Sequence, residues 1–125
     1  EDRLEHLRDP AVVTSDEFRR LALALPEAIE SAHMGTPDFR VRGRIFATLR
    51  TGEGRGVLKL QPEQQEMLSE AEPASFSPVP GGWGRQCWTR FDLAAADEPT
   101  TRGALATAWR NVAPKRLVAA FDAAR

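Results

Sequence analysis

One cysteine and two histidines are all the thiol and imidazole in this chain of 125 residues. Cys87 has no partner for an internal disulfide, and with His6 and His33 it falls short of the four ligands of a Cys/His zinc cage. A reducing, cytoplasmic setting is expected. No apolar run approaches the roughly 20 residues of a membrane span. The longest, LALAL at 21–25, is one side of a short helix. No signal peptide is visible, and a start at Glu1 rather than Met leaves room for a trimmed upstream segment. Neither sign of charge prevails: the formal net charge is −1, so whole-chain electrostatics select no partner. Catalytic signatures are missing too. There is no G-x-S-x-G elbow and no H-E-x-x-H. The glycine-rich TGEGRG at 51–56 feeds the strand-like VLKL rather than a helix and lacks a GK[ST] ending, so it reads as a hairpin turn, not a phosphate loop.

What the chain does have is enough length for one domain with its own core and an alternation of charge blocks. Segment 1–30 carries four cations against eight carboxylates, and 31–60 carries six against two. Segment 61–101 carries two against seven, and 102–125 five against one. If the two basic blocks meet in space, they form a cationic face on a neutral body.

Residues 1–13 are charged, broken by Pro10, and open to three readings: a short helix, a flexible lead or a non-native leader. The domain runs over 14–125. Thr14-Ser15-Asp16-Glu17 is a capping box, followed by Phe18, Leu21, Ala22 and Leu25 at helical spacing, with Pro26 as the stop. A strand is expected to end at Gly35-Thr36-Pro37. Phe39-Arg40-Val41-Arg42 then alternates core with solvent, Gly43 turns, and 44–50 returns. Residues 51–56 are a flexible loop with Arg55 at its tip, before the short strand 57–60. Pro62 opens an acidic helix with Met67 and Leu68 inward. Trp88 to Leu93 alternates as a strand, with Arg90 and Asp92 opposite Thr89, Phe91 and Leu93. Leu105, Ala108, Trp109 and Val112 form the stripe of a helix opened by Asp97-Glu98-Pro99. A last helix from Lys115 turns Leu117, Ala120 and Phe121 inward. This order predicts an α+β fold, an antiparallel meander packed against helices on one side.

Few residues point to chemistry. His33 lies close to Glu30 and Asp38, as a general base held by a carboxylate would, and as a histidine hydrogen-bonded at a strand end would. No second catalytic partner accompanies it. Cys87, flanked by Gln86 and Trp88, reads as a packed residue. Glu63, Glu66, Glu70 and Glu72 read as a solvated helix face rather than metal ligands. The feature that survives is cationic and aromatic. Arg40, Arg42 and Arg44 flank a tight turn, Arg55 and Lys59 follow, and Trp83 stands after two glycines where its ring is left partly open for stacking. Trp88 and Trp109, set in apolar patterns, read as core anchors.

The segments LALALPEAIESAHMGTPDFRVRGRIFATL, VLKL, FSPVPGGWGRQCWTRFDL and AWRNVAPKRL, in this order and spacing from about Phe18 to Leu117, resemble the MmcQ/YjbR family of small bacterial proteins. The resemblance rests on Leu-Pro-Glu, His-x-Gly-x-Pro-x-Phe-x-Val, Trp-Gly followed by a second Trp, and Ala-Trp-Arg with Ala-Pro-Lys. It implies a CyaY-like (frataxin-type) fold and a double-wing DNA-binding protein whose hairpin loops serve as wings. The matching positions here are His33, Pro37, Phe39, Arg40, Arg42, Arg44, Phe46, Lys59, Trp83, Gly84, Trp88, Trp109, Arg110, Pro114 and Lys115. One departure is Cys87, where members typically carry glycine. The frataxin link would bring iron, but the first helix here follows Asp16 and Glu17 at once with Arg19 and Arg20, so no metal and no cofactor are expected.

The expected function is non-enzymatic DNA binding, weakly sequence-specific, by a cytoplasmic monomer with no membrane contact. Arg40, Arg42, Arg44, Arg55, Lys59, Arg85, Arg110, Lys115 and Arg116 would contact phosphate. With about four to six phosphates neutralised, log affinity would fall with log salt at a slope near −4 to −5. The alternative is a protein- or small-ligand-binding domain with His33 and Trp83 at a pocket rim. An enzyme using His33 ranks last.

Overall fold

A computed structural model describes residues 13–124; the segment 1–12 and Arg125 lie outside the described residues, and with them the three readings of the N-terminal lead. Helix α1 spans Ser15–Leu23 and starts where the capping box predicts. Thr14 Oγ1 accepts from the Glu17 amide at 3.1 Å, and Glu17 Oε1 accepts from the Thr14 amide at 2.9 Å. Such a cap contributes about 1 kcal/mol. Four strands follow: β1 Ile29–His33, β2 Thr36–Val41, β3 Arg44–Arg50 and β4 Arg55–Lys59. Helix α2 (Pro62–Ala71), β5 (Phe76–Pro78), the four-residue helix α3 (Gly82–Arg85) and β6 (Trp88–Asp92) come next, then α4 (Glu98–Val112) and α5 (Lys115–Ala123).

The strands form one antiparallel sheet of six in the order β1-β2-β3-β4-β6-β5. Two-residue turns join β1 to β2 (Met34-Gly35) and β2 to β3 (Arg42-Gly43), and both residues of each have positive φ. That is the primed hairpin geometry whose twist matches the strands, and it explains glycine at the second position of both. Between β2 and β3 the register passes from Phe39↔Ala47 to Arg40↔Ile45, leaving Phe46 as the extra residue of a bulge. Phe46 and Ala47 are accordingly both fully buried, although strict alternation would expose one of them.

Helices cover one face of the sheet. Phe39, Val41, Leu49, Leu58 and Phe91 point into them and have no exposed surface. Phe18 of α1 lies edge-on to Phe39, centroids 6.0 Å apart, and 6.3 Å from Phe91. Leu105, Ala108, Trp109 and Val112 of α4 close the core as their spacing predicts, and Trp109 Nε1 donates to the Pro26 carbonyl at 3.0 Å. Helix α5 docks Phe121 on Trp109, centroids 5.0 Å apart. Two inward assignments are corrected. Met67 is 59% exposed, because α2 meets the body through Leu68 and Gln65. Ala120 is exposed, and Val118 packs with Leu117 and Phe121 instead.

Among the described residues no helix is long and apolar enough to cross a membrane.

Candidate functional site

Among the described residues only the four-residue α3 rises on the second face of the sheet. By register this face presents His33 from β1, Asp38 and Arg40 from β2, and Ile45, Thr48 and Arg50 from β3. Arg55, Val57 and Lys59 come from β4, and Trp88, Arg90 and Asp92 from β6. The face is not flat. Val79 after β5 and the short α3 rise beside β6 and turn its middle into a concavity of about 460 Å³, lined by the side chains of β3, β4 and β6 together with His33, Glu53, Val79 and Trp83.

Three arginines converge on it. Arg50 and Arg55 are cross-strand partners, and both approach Glu53, at 3.8 and 3.4 Å. Arg90 stands opposite Val57 on one side and Ser77 on the other, and is half-buried. It makes no hydrogen bond or ion pair with any described residue. Glu53 is the one carboxylate of the lining; Asp92, across from Arg55, instead accepts from the Ala94 amide at 3.1 Å. The concavity thus gathers three guanidiniums and one carboxylate.

The aromatic wall comes from α3. Gly81, with φ 81°, starts this helix, and Gly84 packs so close to β5 that a Cβ there would stand 2.0 Å from the Val79 carbonyl oxygen. Trp83 between them is 63% exposed. The turn after α3 is nailed down from outside. Gln65 Nε2 donates to Thr89 Oγ1 at 2.9 Å and to the Gly84 and Trp88 carbonyls at 3.3 Å, while Lys59 Nζ donates to the Gln86 carbonyl at 2.9 Å. Cys87 completes the turn at φ 72°, in the left-handed region. That region favours glycine, so the cysteine bears the strain of the turn.

Beside the concavity lies a second cluster. The Asp38 side chain has no exposed surface and accepts from Arg40 Nε at 2.8 Å and Nη2 at 3.0 Å, with His33 Nδ1 2.8 Å away. The Arg40 guanidinium holds the Asp38 carboxyl below its ordinary value against the opposing effect of burial, and His33 adds to the lowering. His33 therefore stands at a strand end on a carboxylate, with its half-exposed ring at the rim of the concavity.

The nine cations singled out in the sequence do not form one surface. Arg40 is bound to Asp38, and Arg42, in its turn at φ 52°, forks onto Glu27 with Nε–Oε1 at 2.5 Å and Nη2–Oε2 at 3.1 Å. The Lys59 ammonium is committed to Gln86 and to the Trp88 ring, 4.9 Å from its centroid. Arg110 is paired with Asp122. Arg44, Arg85, Lys115 and Arg116 are exposed, with no ion pair to a described residue, but Lys115 and Arg116 begin α5, on the helical layer. The two basic blocks are thus divided between the open face and the helical layer, against the expected convergence, because α5 is anchored on Trp109. Arg55 is corrected as well: it is not at a flexible tip but in β4, since residues 51–53 form a 3-10 turn that ends the loop early. Trp88 is no core anchor; it is half-buried on the open face.

The residues missed in the sequence are Arg50, Arg90 and Trp88. Their signal was the strand alternation itself. With Thr89 and Phe91 inward, Trp88 and Arg90 must face the other side. Among the described residues no three His, Cys, Asp or Glu gather where they could hold a metal ion, and the α2 carboxylates stand on an open helix face.

One antiparallel sheet, long helices on a single side and a concave, cationic and aromatic opposite side define a small α+β domain with one open sheet face. The YjbR family model matches residues 23–111, most of the chain, and this protein belongs to the YjbR family. A solved relative in fold is DR2400 of Deinococcus radiodurans, a DUF419-domain protein, with TM-score 0.71 and 24% identity over 86% of this chain and 83% of that one. No curated protein matches this chain.

Proposed function

We propose that this YjbR protein is a non-enzymatic DNA-binding module, a cytoplasmic monomer, whose contact surface is the open face of its sheet rather than its hairpin tips. The observation that carries the reading is Arg90, a half-buried residue without a described hydrogen-bond or ion-pair partner, in a concavity shared with Arg50 and Arg55. Arginines fixed on strands present their forks without the entropy a loop would lose, and phosphate contacts of this kind position a strand without reading its sequence. Arg85, exposed and without an ion pair to a described residue, extends the cationic surface beyond the concavity.

Because Arg40, Arg42 and Arg110 already hold carboxylates, about four phosphates are neutralised rather than six, and log affinity falls with log salt at a slope of about −3 to −4. Fluorescence anisotropy across a salt series checks this. Arg90→Gln should reduce the slope by about one and weaken binding, whereas Arg42→Gln should change neither appreciably. A salt-independent response, or a larger loss at Arg42 than at Arg90, refutes the open-face assignment.

One observation favours the second reading, a small-ligand site: His33 and Trp83 line the same concavity, whose volume falls within the range of about 300–1,000 Å³ common to such sites. Calorimetric binding of a small aromatic anion with no binding of DNA would establish it instead.

A further inference from the structure

Trp83 is 63% exposed and stacks on no other aromatic ring among the described residues, although it lines the concavity of the open face. An exposed indole lining the same concavity as three arginines is an unusual use of the largest apolar side chain unless something flat covers it. The rest of the lining divides in the same way. Ile45, Val57 and Val79 are apolar, the Thr48 hydroxyl has no described hydrogen-bond partner, and by register Arg50 and Arg55 share one row across the strands with Arg90 in the next.

Apolar lining, an exposed indole and neighbouring guanidiniums together suit a group with a flat aromatic part and an anionic part. A nucleobase with its adjoining phosphates has this form. In a duplex both faces of every base are covered by neighbouring pairs, so no side chain can stack on one without first unstacking it; in a single strand the faces are available. The concavity, about 460 Å³, has room for a base, and its three arginines stand in adjacent rows beside the apolar lining.

On the DNA-binding reading of the same face, we infer that the concavity receives one unstacked base of a single DNA strand, stacked on Trp83, with the flanking phosphates on Arg50, Arg55 and Arg90. The site would then prefer single strands to duplex. Trp83 is the stacking residue, and the Thr48 hydroxyl is the polar group a base edge would meet.

The test compares three labelled probes of equal length on the full chain by anisotropy at fixed salt: oligothymidylate, an abasic deoxyribose-phosphate oligomer and a duplex. Oligothymidylate should bind about tenfold tighter than the abasic oligomer, near the low end of what base–aromatic stacking contributes. It should also bind tighter than the duplex. Trp83→Ala should bring oligothymidylate down to the abasic level, and Trp83→Phe should restore most of the difference; since the ring is exposed, both variants are expected to fold. Equal binding of all three probes, with the salt slope intact, overturns the base-stacking inference and leaves the DNA-binding reading standing. Loss of binding to every probe in the unmutated protein overturns both. Oligothymidylate preference that survives Trp83→Ala also refutes the assignment of Trp83.

Discussion

Replacing Gly84 by alanine puts the architecture of the aromatic wall under direct test. A methyl group at this position would stand 2.0 Å from the Val79 carbonyl oxygen, 3.1 Å from its carbon and 3.2 Å from the Pro78 Cβ. The first contact is backbone, so no side-chain rotation relieves it, and α3 must retreat from β5 by about 1 Å or more before the overlap is removed. Overpacking of this kind costs about 1–3 kcal/mol. For a chain of this size each kcal/mol lowers Tm by about 3–5 °C, so a fall of about 3–15 °C is expected. Since Trp83 is the preceding residue, the same retreat carries the indole out of the concavity, and its fluorescence should change in the folded state. Gly103 supplies the control: it is an exposed glycine of α4 with nothing within 4 Å of a new Cβ, so Gly103→Ala should raise stability by about 0.5–1 kcal/mol. Thermal unfolding followed by circular dichroism and by tryptophan emission reads both. A Gly84→Ala protein with unchanged Tm and unchanged native emission would refute the steric account of how Trp83 is placed.

Cys87→Gly removes a side chain from a backbone at φ 72° and should stabilise the protein by about 0.5–1 kcal/mol; chemical denaturation with an unchanged or lowered midpoint would refute the strain assigned there. Asp38 titrates below its ordinary value in the folded state, so its contribution to stability is complete above the unfolded carboxylate pKa of about 3.9 and is lost as pH falls through the lower folded value. Asp38→Asn should therefore lower Tm clearly at pH 7 and by a smaller amount below about pH 3.5, and an equal loss at both pH values would contradict the Arg40–Asp38–His33 arrangement.

The elements legible in the sequence are those whose cause is local. Thr14 and Glu17 cap α1 three residues apart, Asp97 caps α4 by accepting from the Thr100 amide, and the alternation at 39–42 places Phe39 and Val41 in the core without any knowledge of what covers them. What escaped has distant causes. TGEGRG looks like a floppy loop because half its residues are glycine, yet Gly56 is a strand residue that must be glycine: a Cβ there would lie 2.8 Å from the Phe18 ring. That contact joins residues far apart in the chain, and only the fold reveals it. Met67 and Ala120 failed for a related reason: helical spacing names a face, but which residues of that face are covered depends on how far the neighbouring element extends.

The candidate site was half legible, and the division follows from how charge behaves in one dimension and in three. Counting cations along the chain marks 31–60 as the basic block and 61–101 as acidic. Folding cancels much of the former, since Glu27 arrives from the acidic first block to hold Arg42, and Asp38 is enclosed by Arg40. The guanidinium left with no described partner in the concavity of the open face is Arg90, from the block whose net charge would have excluded it. A basic run thus predicts surface charge only when its carboxylates stay away. For the proposed anion site the stronger pointer is a cation that a strand fixes in a concavity without a carboxylate of its own.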